Sequence, residues 1–247
     1  MDPAGGVVNL LQEAFQYLND PFNWTRPNGI LDLAAQHLRI SVTAVLAAML
    51  IGIPVGALLG HTGHGGGFTV ALSNVSRAIP TLALLTVFAV TPIGFGPTAT
   101  TIALALFALP PVLTNTYVGF RGVDRDVVEA SRAMGMSEPQ VLLRAELPLA
   151  VPLLMTGVRT AAVQVVATAT LAALVAGGGL GRIITLGFRQ QDYGAVLAGA
   201  ILVALLAVAT ELLLAVVSWL VTPGPKRLRV GRARTRRTET GAVPVTP

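Results

Sequence analysis

Residues 126–148, DVVEASRAMGMSEPQVLLRAELP, form a charged segment between long apolar stretches of the chain. Of the 247 residues, 53% are hydrophobic and only 12% are charged, whereas about a quarter of the residues of soluble domains are charged. The mean hydropathy is +0.70. We therefore expect an integral membrane protein, and its polar segment is the part expected to meet something soluble.

Five apolar runs are long enough to cross the hydrocarbon layer as helices, which takes about 20 residues. They are predicted at residues 40–59, 68–90, 98–120, 149–175 and 195–221. The second and third runs are separated by a short stretch, TPIGFGP, whose two prolines and two glycines predict a tight turn. The predicted fold is all-α, a polytopic membrane protein with about five transmembrane helices.

The basic residues of the chain are concentrated on one side of this arrangement, and short cytoplasmic loops are enriched in such residues. One side holds Arg121, Arg125, Arg132, Arg144, Lys226, Arg227, Arg229, Arg232, Arg234, Arg236 and Arg237. The other side holds only Arg26, Arg39, Arg182 and Arg189. The bias predicts that the N-terminus lies outside the cell and the C-terminus in the cytoplasm.

Three regions follow from these patterns. Residues 1–29 are predicted to be an extracytoplasmic segment, with a short surface helix at 7–18 and an irregular stretch at 21–29. Residues 30–222 form the transmembrane domain, which includes a cytoplasmic hairpin at 124–146, here called the polar hairpin. Residues 223–247 mix a basic run with Thr, Pro and Gly, which predicts a disordered tail that contacts anionic lipid headgroups.

The polar hairpin is predicted to contain two short helices. Asp124 or Asp126 can cap the first helix, and Gly135 stands where a left-handed residue would end it. Ser137 begins a capping box, so a second helix is expected to run to Glu146. A helix that reads DNA must project freely into a groove, whereas this hairpin is tethered to spans at both ends. Nucleic acid is therefore not an expected partner, and a hairpin that merely links two spans remains an alternative.

Ionisable residues within spans are costly to bury unless they are paired or reached by water. Arg77, Arg159 and Glu211 are such residues. Arg77 precedes Pro80, which favours a bend, so both are candidates for a gate or pathway role. Arg159 is either a pathway residue, a snorkelling side chain or part of a structural ion pair, and Glu211 is either a pathway residue or a partner in helix packing.

Several kinds of site are absent or poorly supported. The only lysine, Lys226, lies in the tail, so the chain lacks the lysine that a P-loop needs to bind ATP. His61 and His64 lack a neighbouring carboxylate or thiolate, which makes a metal site unfavourable and predicts a flexible linker. The glycine cluster at 177–181 follows a span and is expected to end a helix and bend the chain. No enzymatic activity and no metal site are predicted.

The polar hairpin resembles the EAA loop of the permease subunits of bacterial ABC importers. That pattern is Glu-Ala-Ala, three residues, Gly, nine residues and Ile-x-Leu-Pro, and the spacing here agrees with it, although Ser131 and Ala145 depart from the usual residues. The resemblance implies a coupling helix that docks on an ATP-binding subunit. The residues it implies are Glu129, Ala130, Ser131, Arg132, Gly135, Met136, Leu147 and Pro148.

The resemblance extends over residues 30–222. The segments similar to the subfamily that imports glycine betaine, choline and carnitine are residues 79–84 (IPTLAL), 115–117, 119, 121–124, 157–161, 167–174 and 177–181 (GGGLG). It implies the ABC importer permease (MetI-like) fold and a pathway for a quaternary ammonium osmoprotectant across a bacterial plasma membrane. It also implies a pair of ATPase subunits that bind ATP and Mg, a second permease, identical or paralogous, and an extracytoplasmic substrate-binding protein. No cofactor is expected in this chain.

Alternatives from other classes remain at this stage. A stand-alone channel or a secondary transporter would use the ionisable residues of the spans as an ion path and would not need a capped hairpin. An importer permease for another amino-acid-like solute would share the hairpin but not the solute. A membrane scaffold would not depend on Glu129 or Gly135.

Overall fold

The computed structural model describes residues 3–78 and 80–222, and their side chains apart from those of residues 3–8, 70, 75–78 and 89. The part of the chain so described is helical and contains no strand. In chain order the elements are α1 (Pro3–Asn19), α2 (Pro21–Thr25), α3 (Ile30–Thr62), α4 (Gly66–Ala78), α5 (Thr81–Ala89), α6 (Pro97–Arg121), α7 (Arg125–Ala133), α8 (Glu138–Gln140), a π-helical segment (Val141–Glu146), α9 (Leu147–Thr168), a 3-10 segment (Ala169–Val175), α10 (Gly181–Gln190) and α11 (Tyr193–Val221).

The core of the molecule lies between α3, α6 and α9, which pack against one another through small and branched apolar side chains. Three glycines of α3 recur at every fourth position and face α6. A Cβ at Gly56 would come within 2.7 Å of the Leu113 carbonyl oxygen, and one at Gly60 within 2.6 Å of Phe120 Cβ. The absence of side chains along this stripe allows the two helix backbones to approach closely.

This close packing predicts that α3 does not tolerate a side chain at Gly56. Gly56→Leu is expected to destabilise the folded protein by about 1–3 kcal/mol, because the added atoms overlap the backbone of α6. The measurement is the midpoint of thermal unfolding of the purified protein in detergent. Gly67→Ala is the matched control, since a Cβ at Gly67 would meet nothing within 4 Å. Equal midpoints for the two variants would contradict the packing argument.

Four helical stretches of the described residues are long and apolar enough to cross a membrane, namely Pro21–Thr62, Pro97–Arg121, Glu138–Val175 and Tyr193–Val221. The run predicted as a single span at 68–90 is instead divided into α4 and α5, which meet at Pro80. A proline has no N–H for the helix and disfavours helical backbone in the residue before it. The prediction of about five spans is right in outline, but the second is a broken one.

The second helix of the polar hairpin does not end at Glu146, as the sequence predicted, but continues into the fourth span. The junction is the π-helical segment, where the N–H of Leu147 donates to the carbonyl of Leu142. A π-bulge widens the turn directly before Pro148, whose ring would clash with the carbonyl four residues earlier in a regular helix. The second helix of the hairpin and the span are therefore one continuous helical element.

The N-terminal segment is more ordered than predicted. The surface helix expected at 7–18 is present as the longer α1, and the stretch predicted to be irregular contains α2. Trp24 Nε1 donates to the Leu18 carbonyl at 2.6 Å, and Asn23 Nδ2 donates to the Tyr17 carbonyl at 3.0 Å. The segment packs on α11, where a Cβ at Gly194 would come within 2.6 Å of Glu13 Cβ.

Candidate functional site

The polar hairpin is built by the local signals that the sequence carries. Asp124 Oδ1 accepts a hydrogen bond from the Asp126 N–H at 3.0 Å and caps α7. Gly135 has a φ of 83°, in the left-handed region, and turns the chain after α7. Gln140 Oε1 accepts from the Ser137 N–H at 2.9 Å and completes the capping box at the start of α8. The predicted caps and turn are therefore present.

One face of α7 packs into a small apolar cluster within the hairpin. Val128 is buried against Val123 and Val141, and Met136 packs against the same group. Ser131 is also buried, and its hydroxyl donates to the Val127 carbonyl at 2.8 Å. Of the residues that the sequence assigned to docking, Ser131 and Met136 thus support the hairpin from inside.

The opposite face of α7 is exposed, and it carries three other predicted docking residues, Glu129, Ala130 and Arg132. Gly135 is exposed in the turn that follows. Met134 is 76% exposed on the same surface, although the sequence reasoning did not single it out. Small side chains here permit close approach by another chain, and methionine is enriched at protein interfaces. Leu147 and Pro148 lie half-buried at the base of the hairpin, where α9 begins.

Arg132 is engaged within the hairpin rather than left free to pair with Glu129 or a partner. Its Nε donates to Glu138 Oε1 at 2.8 Å and its Nη2 donates to Glu138 Oε2 at 3.0 Å. This hydrogen-bonded carboxylate raises the pKa of the Arg132 guanidinium. Glu129 forms no hydrogen bond or ion pair within the described residues, so it is the charged side chain of this surface that is available to a partner.

His61 lies in the last turn of α3 and contacts the polar hairpin. Its Nδ1 is 2.6 Å from Glu146 Oε2, and its Nε2 is 3.1 Å from Glu138 Oε2. The prediction of a flexible linker at His61 is therefore wrong, because α3 runs through this residue and ends only at Gly63, where φ is 75°. His64 lies beyond that end and is exposed. The sequence feature that could have indicated this contact is Glu146. It is an acidic residue at the start of an apolar helix, and its side chain therefore needs a hydrogen-bond or ion-pair partner.

Arg159 of α9 and Glu211 of α11 form an ion pair through Nη2 and Oε1. At a rise of about 1.5 Å per residue, Arg159 lies about 18 Å along α9 and Glu211 about 15 Å from the end of α11, so both are deep within the helices. Of the alternatives considered for Arg159, the structure shows the ion pair with Glu211 and not a side chain that snorkels to the membrane interface. The side chains remain 32% and 41% exposed.

The ion pair borders a cavity of about 400 Å³ on the outside of α9. Three polar side chains, of Thr156, Thr160 and Gln164, line it at successive turns of the helix. A polar face at this depth is unfavourable in contact with lipid. It is suited to contact with water or with another protein chain.

The other two pathway candidates lie at the break between α4 and α5. Pro80 is exposed and begins α5 as its N-cap. The side chain of Arg77 lies outside the described residues.

The glycine cluster at 177–181 makes a turn at the end opposite the polar hairpin. Gly178 and Gly179 have φ angles of 84° and 82°, as a turn of this kind requires. His37, which is fully buried in α3, holds the turn: its Nδ1 accepts from the Leu180 N–H at 3.3 Å, and its Nε2 donates to the Val166 carbonyl at 2.8 Å. The predicted bend is confirmed, but the histidine that supports it was not predicted.

Comparison with known proteins places these features within a family. Residues 48–221 match the model of the family described as binding-protein-dependent transport system inner membrane component. The chain is 34% identical to the choline transport system permease protein OpuBB of Bacillus subtilis (strain 168), over 84% of this chain and 96% of that protein. It is 37% identical to the carnitine transport permease protein OpuCB of Listeria monocytogenes, over 80% of this chain and 89% of that protein.

A solved structure shares the fold. A chain from the inward-facing MetNI methionine ABC transporter superposes with a TM-score of 0.67 at 22% identity, covering 78% of this chain and 96% of that chain. The match confirms the predicted ABC importer permease fold.

Proposed function

We propose that this chain, which belongs to the family of binding-protein-dependent transport system inner membrane components, forms the pathway of an ATP-driven importer for a quaternary ammonium osmoprotectant. Membership makes it a multi-pass membrane transport permease rather than an enzyme, and permeases of such importers work with an ATP-binding subunit and a binding protein. The observation that carries the proposal is the polar hairpin, an exposed element in which each of the two helices has an N-terminal cap. Its second helix continues directly into a span.

The solute class rests on the relatives. Their names specify transport of choline, of carnitine, and of glycine betaine, carnitine and choline together. Each of these solutes carries a quaternary ammonium group. The similarity covers more than three quarters of this chain in all three comparisons, so it includes the core helices as well as the hairpin. An importer for another amino-acid-like solute is the alternative.

The polar hairpin is the proposed coupling element. Glu129, Ala130, Arg132 and Gly135 form the surface toward the ATPase, together with Met134. Ser131 and Met136 support that surface from inside, and Leu147 and Pro148 join it to α9. Because α8, the π-helical segment and α9 are continuous, a displacement of the hairpin moves the span itself. The partner ATPase subunits bind the ATP and Mg, and this chain needs no cofactor of its own.

The half-exposed ion pair between Arg159 and Glu211 supports the proposal of a second permease. Charges and hydroxyls at this depth are unfavourable against lipid, so the surface is covered by another permease, identical or paralogous, or lines a water-filled pathway between the two. In this proposal Arg159, Glu211, Pro80 and Arg77 are pathway or gate residues.

The proposed setting is a bacterial plasma membrane. Residues 1–29 lie on the extracytoplasmic side, near the incoming binding protein, and the hairpin and residues 223–247 lie in the cytoplasm. The arginines of the hairpin region favour this orientation. The tail at 223–247, which the sequence predicts to contact anionic lipid, lies outside the described residues. Residues 30–222 form the permease domain.

Reconstitution tests the proposal. The permease, its ATPase subunits and the binding protein are placed in liposomes, and uptake of labelled glycine betaine, carnitine and choline is measured with and without ATP. We expect uptake of at least one of them that requires ATP, the ATPase and the binding protein. Uptake through the permease alone would support the channel or secondary transporter. ATP-dependent uptake of another amino-acid-like solute, with none of these three, would contradict the solute class.

A further inference from the structure

The ion pair between Arg159 and Glu211 places one charge of each sign on the wall of a cavity. Both residues line the space of about 400 Å³ beside α9, and both side chains remain partly exposed there. Cavities that bind small molecules have volumes of about 300–1,000 Å³. A small solute can therefore reach the two charges together.

Neither charged group uses its full hydrogen-bonding capacity within the described part of the chain. The bond from Nη2 of Arg159 to Oε1 of Glu211 is the one hydrogen bond that these two side chains make among the described residues. Nε of Arg159 is buried without a partner. A guanidinium has several N–H donors and a carboxylate accepts at both oxygens, so Nη1 of Arg159 and Oε2 of Glu211 are left for a ligand.

The rest of the cavity wall is polar but uncharged along α9. Thr160 and Gln164 follow Thr156 at successive turns, and the Thr156 hydroxyl donates to the Pro152 carbonyl of its own helix at 2.9 Å. None of the described residues that line the cavity is aromatic. Quaternary ammonium groups are often held by aromatic rings, so here the carboxylate of Glu211 is the group that can balance such a cation.

We propose that Arg159 and Glu211 bind the solute during its passage, with a carboxylate of the solute against Arg159 and its quaternary ammonium group against Glu211. This inference rests on the proposed function and narrows its solute class to zwitterions. Glycine betaine and carnitine carry both groups, whereas choline carries a hydroxyl in place of the carboxylate.

Charge balance at this depth favours the zwitterion. The ion pair is neutral, and a zwitterion placed across it adds no net charge, so every charge keeps an opposite partner. Choline adds a cation, and its contact with Glu211 weakens the pairing of Arg159 without replacing it. An incompletely paired charge within a span is unfavourable. The site therefore discriminates against choline through Arg159.

The test is equilibrium binding of labelled glycine betaine and labelled choline to the complete permease–ATPase complex in lipid nanodiscs. The binding protein is left out, so that its own selectivity does not contribute. We expect the wild type to bind glycine betaine roughly tenfold more tightly than choline, which corresponds to one charge-assisted hydrogen bond. Arg159→Gln is expected to abolish this preference by weakening glycine betaine roughly tenfold, and Glu211→Gln is expected to weaken both solutes.

Thr210→Val is the matched control. Thr210 is adjacent to Glu211, but its hydroxyl donates to the Leu206 carbonyl of its own helix at 2.8 Å, so this variant should retain both affinities. The ratio of the two dissociation constants separates recognition from a purely structural role, because a loss of folded protein lowers the amount of both solutes bound and leaves their ratio unchanged.

Two results would overturn the proposal: a wild-type complex that binds neither solute, or a preference for glycine betaine that is the same in Arg159→Gln as in the wild type. Uptake by the complete importer with its binding protein is measured alongside. If the importer transports these solutes while either of those binding results holds, only this inference fails. If it transports none of glycine betaine, carnitine and choline, the proposed function itself fails.

Discussion

Glu211→Leu is expected to lower the midpoint of thermal unfolding of the permease in detergent by about 5–10 °C. The substitution leaves the Arg159 guanidinium deep within the helices without its carboxylate partner. An unpaired charge at such a depth is unfavourable by about 2.5–3.5 kcal/mol. The fraction of protein recovered from membranes as a single monodisperse species should fall in parallel.

The double variant Arg159→Leu with Glu211→Leu is the control for this pair. It removes both charges, so most of the lost stability should return. Transport should not return with it if the pair also lines the pathway, because the polar character of the 400 Å³ cavity is lost. A Glu211→Leu protein as stable as the wild type would contradict the account of the ion pair.

Gly135→Val is expected to reduce ATP-dependent uptake by roughly tenfold. The φ of Gly135 is 83°, and a Cβ there would meet nothing within 4 Å. The cost is therefore one of backbone conformation, about 1–3 kcal/mol for a residue that avoids the left-handed region. A turn forced out of this region would redirect α8 relative to α7 and disturb the surface around Glu129.

Gly135→Asn is the matched variant, since asparagine adopts left-handed backbone more readily than other residues with a side chain. Uptake and ATP hydrolysis are measured in the same liposomes for both variants. We expect Gly135→Asn to retain most of the uptake that Gly135→Val loses. If Gly135→Val supports as much ATP-dependent uptake as Gly135→Asn, the backbone conformation of this turn does not matter for coupling.

The parts of the fold that were predictable from the sequence depend on short-range chemistry. Asp124, Gly135 and Ser137 act on their immediate neighbours, so the start of each hairpin helix and the end of the first could be placed without knowledge of the fold. The continuation of the second helix past Glu146 could not. The spans follow from composition and length in the same way, and the family resemblance drawn from the EAA pattern is confirmed by the match over residues 48–221.

The parts that were missed depend on contacts between distant segments. His61 and Glu146 are 85 residues apart in sequence, and nothing near either residue specifies the other until α3 packs beside the start of α9. Arg159 and Glu211 were both recognised as costly charges, but their pairing depends on how α9 and α11 pack. The division of the second span at Pro80 is a local effect that the apolar composition of the run obscured.

The measurement that tests the central claim most directly is uptake of labelled glycine betaine, carnitine and choline into liposomes containing the permease, with its ATPase subunits present or omitted. The claim is that the polar hairpin makes this pathway depend on a partner that hydrolyses ATP. The account predicts accumulation of at least one solute only when the permease, ATPase, binding protein and ATP are all present. Equal uptake through the permease without the ATPase would contradict it.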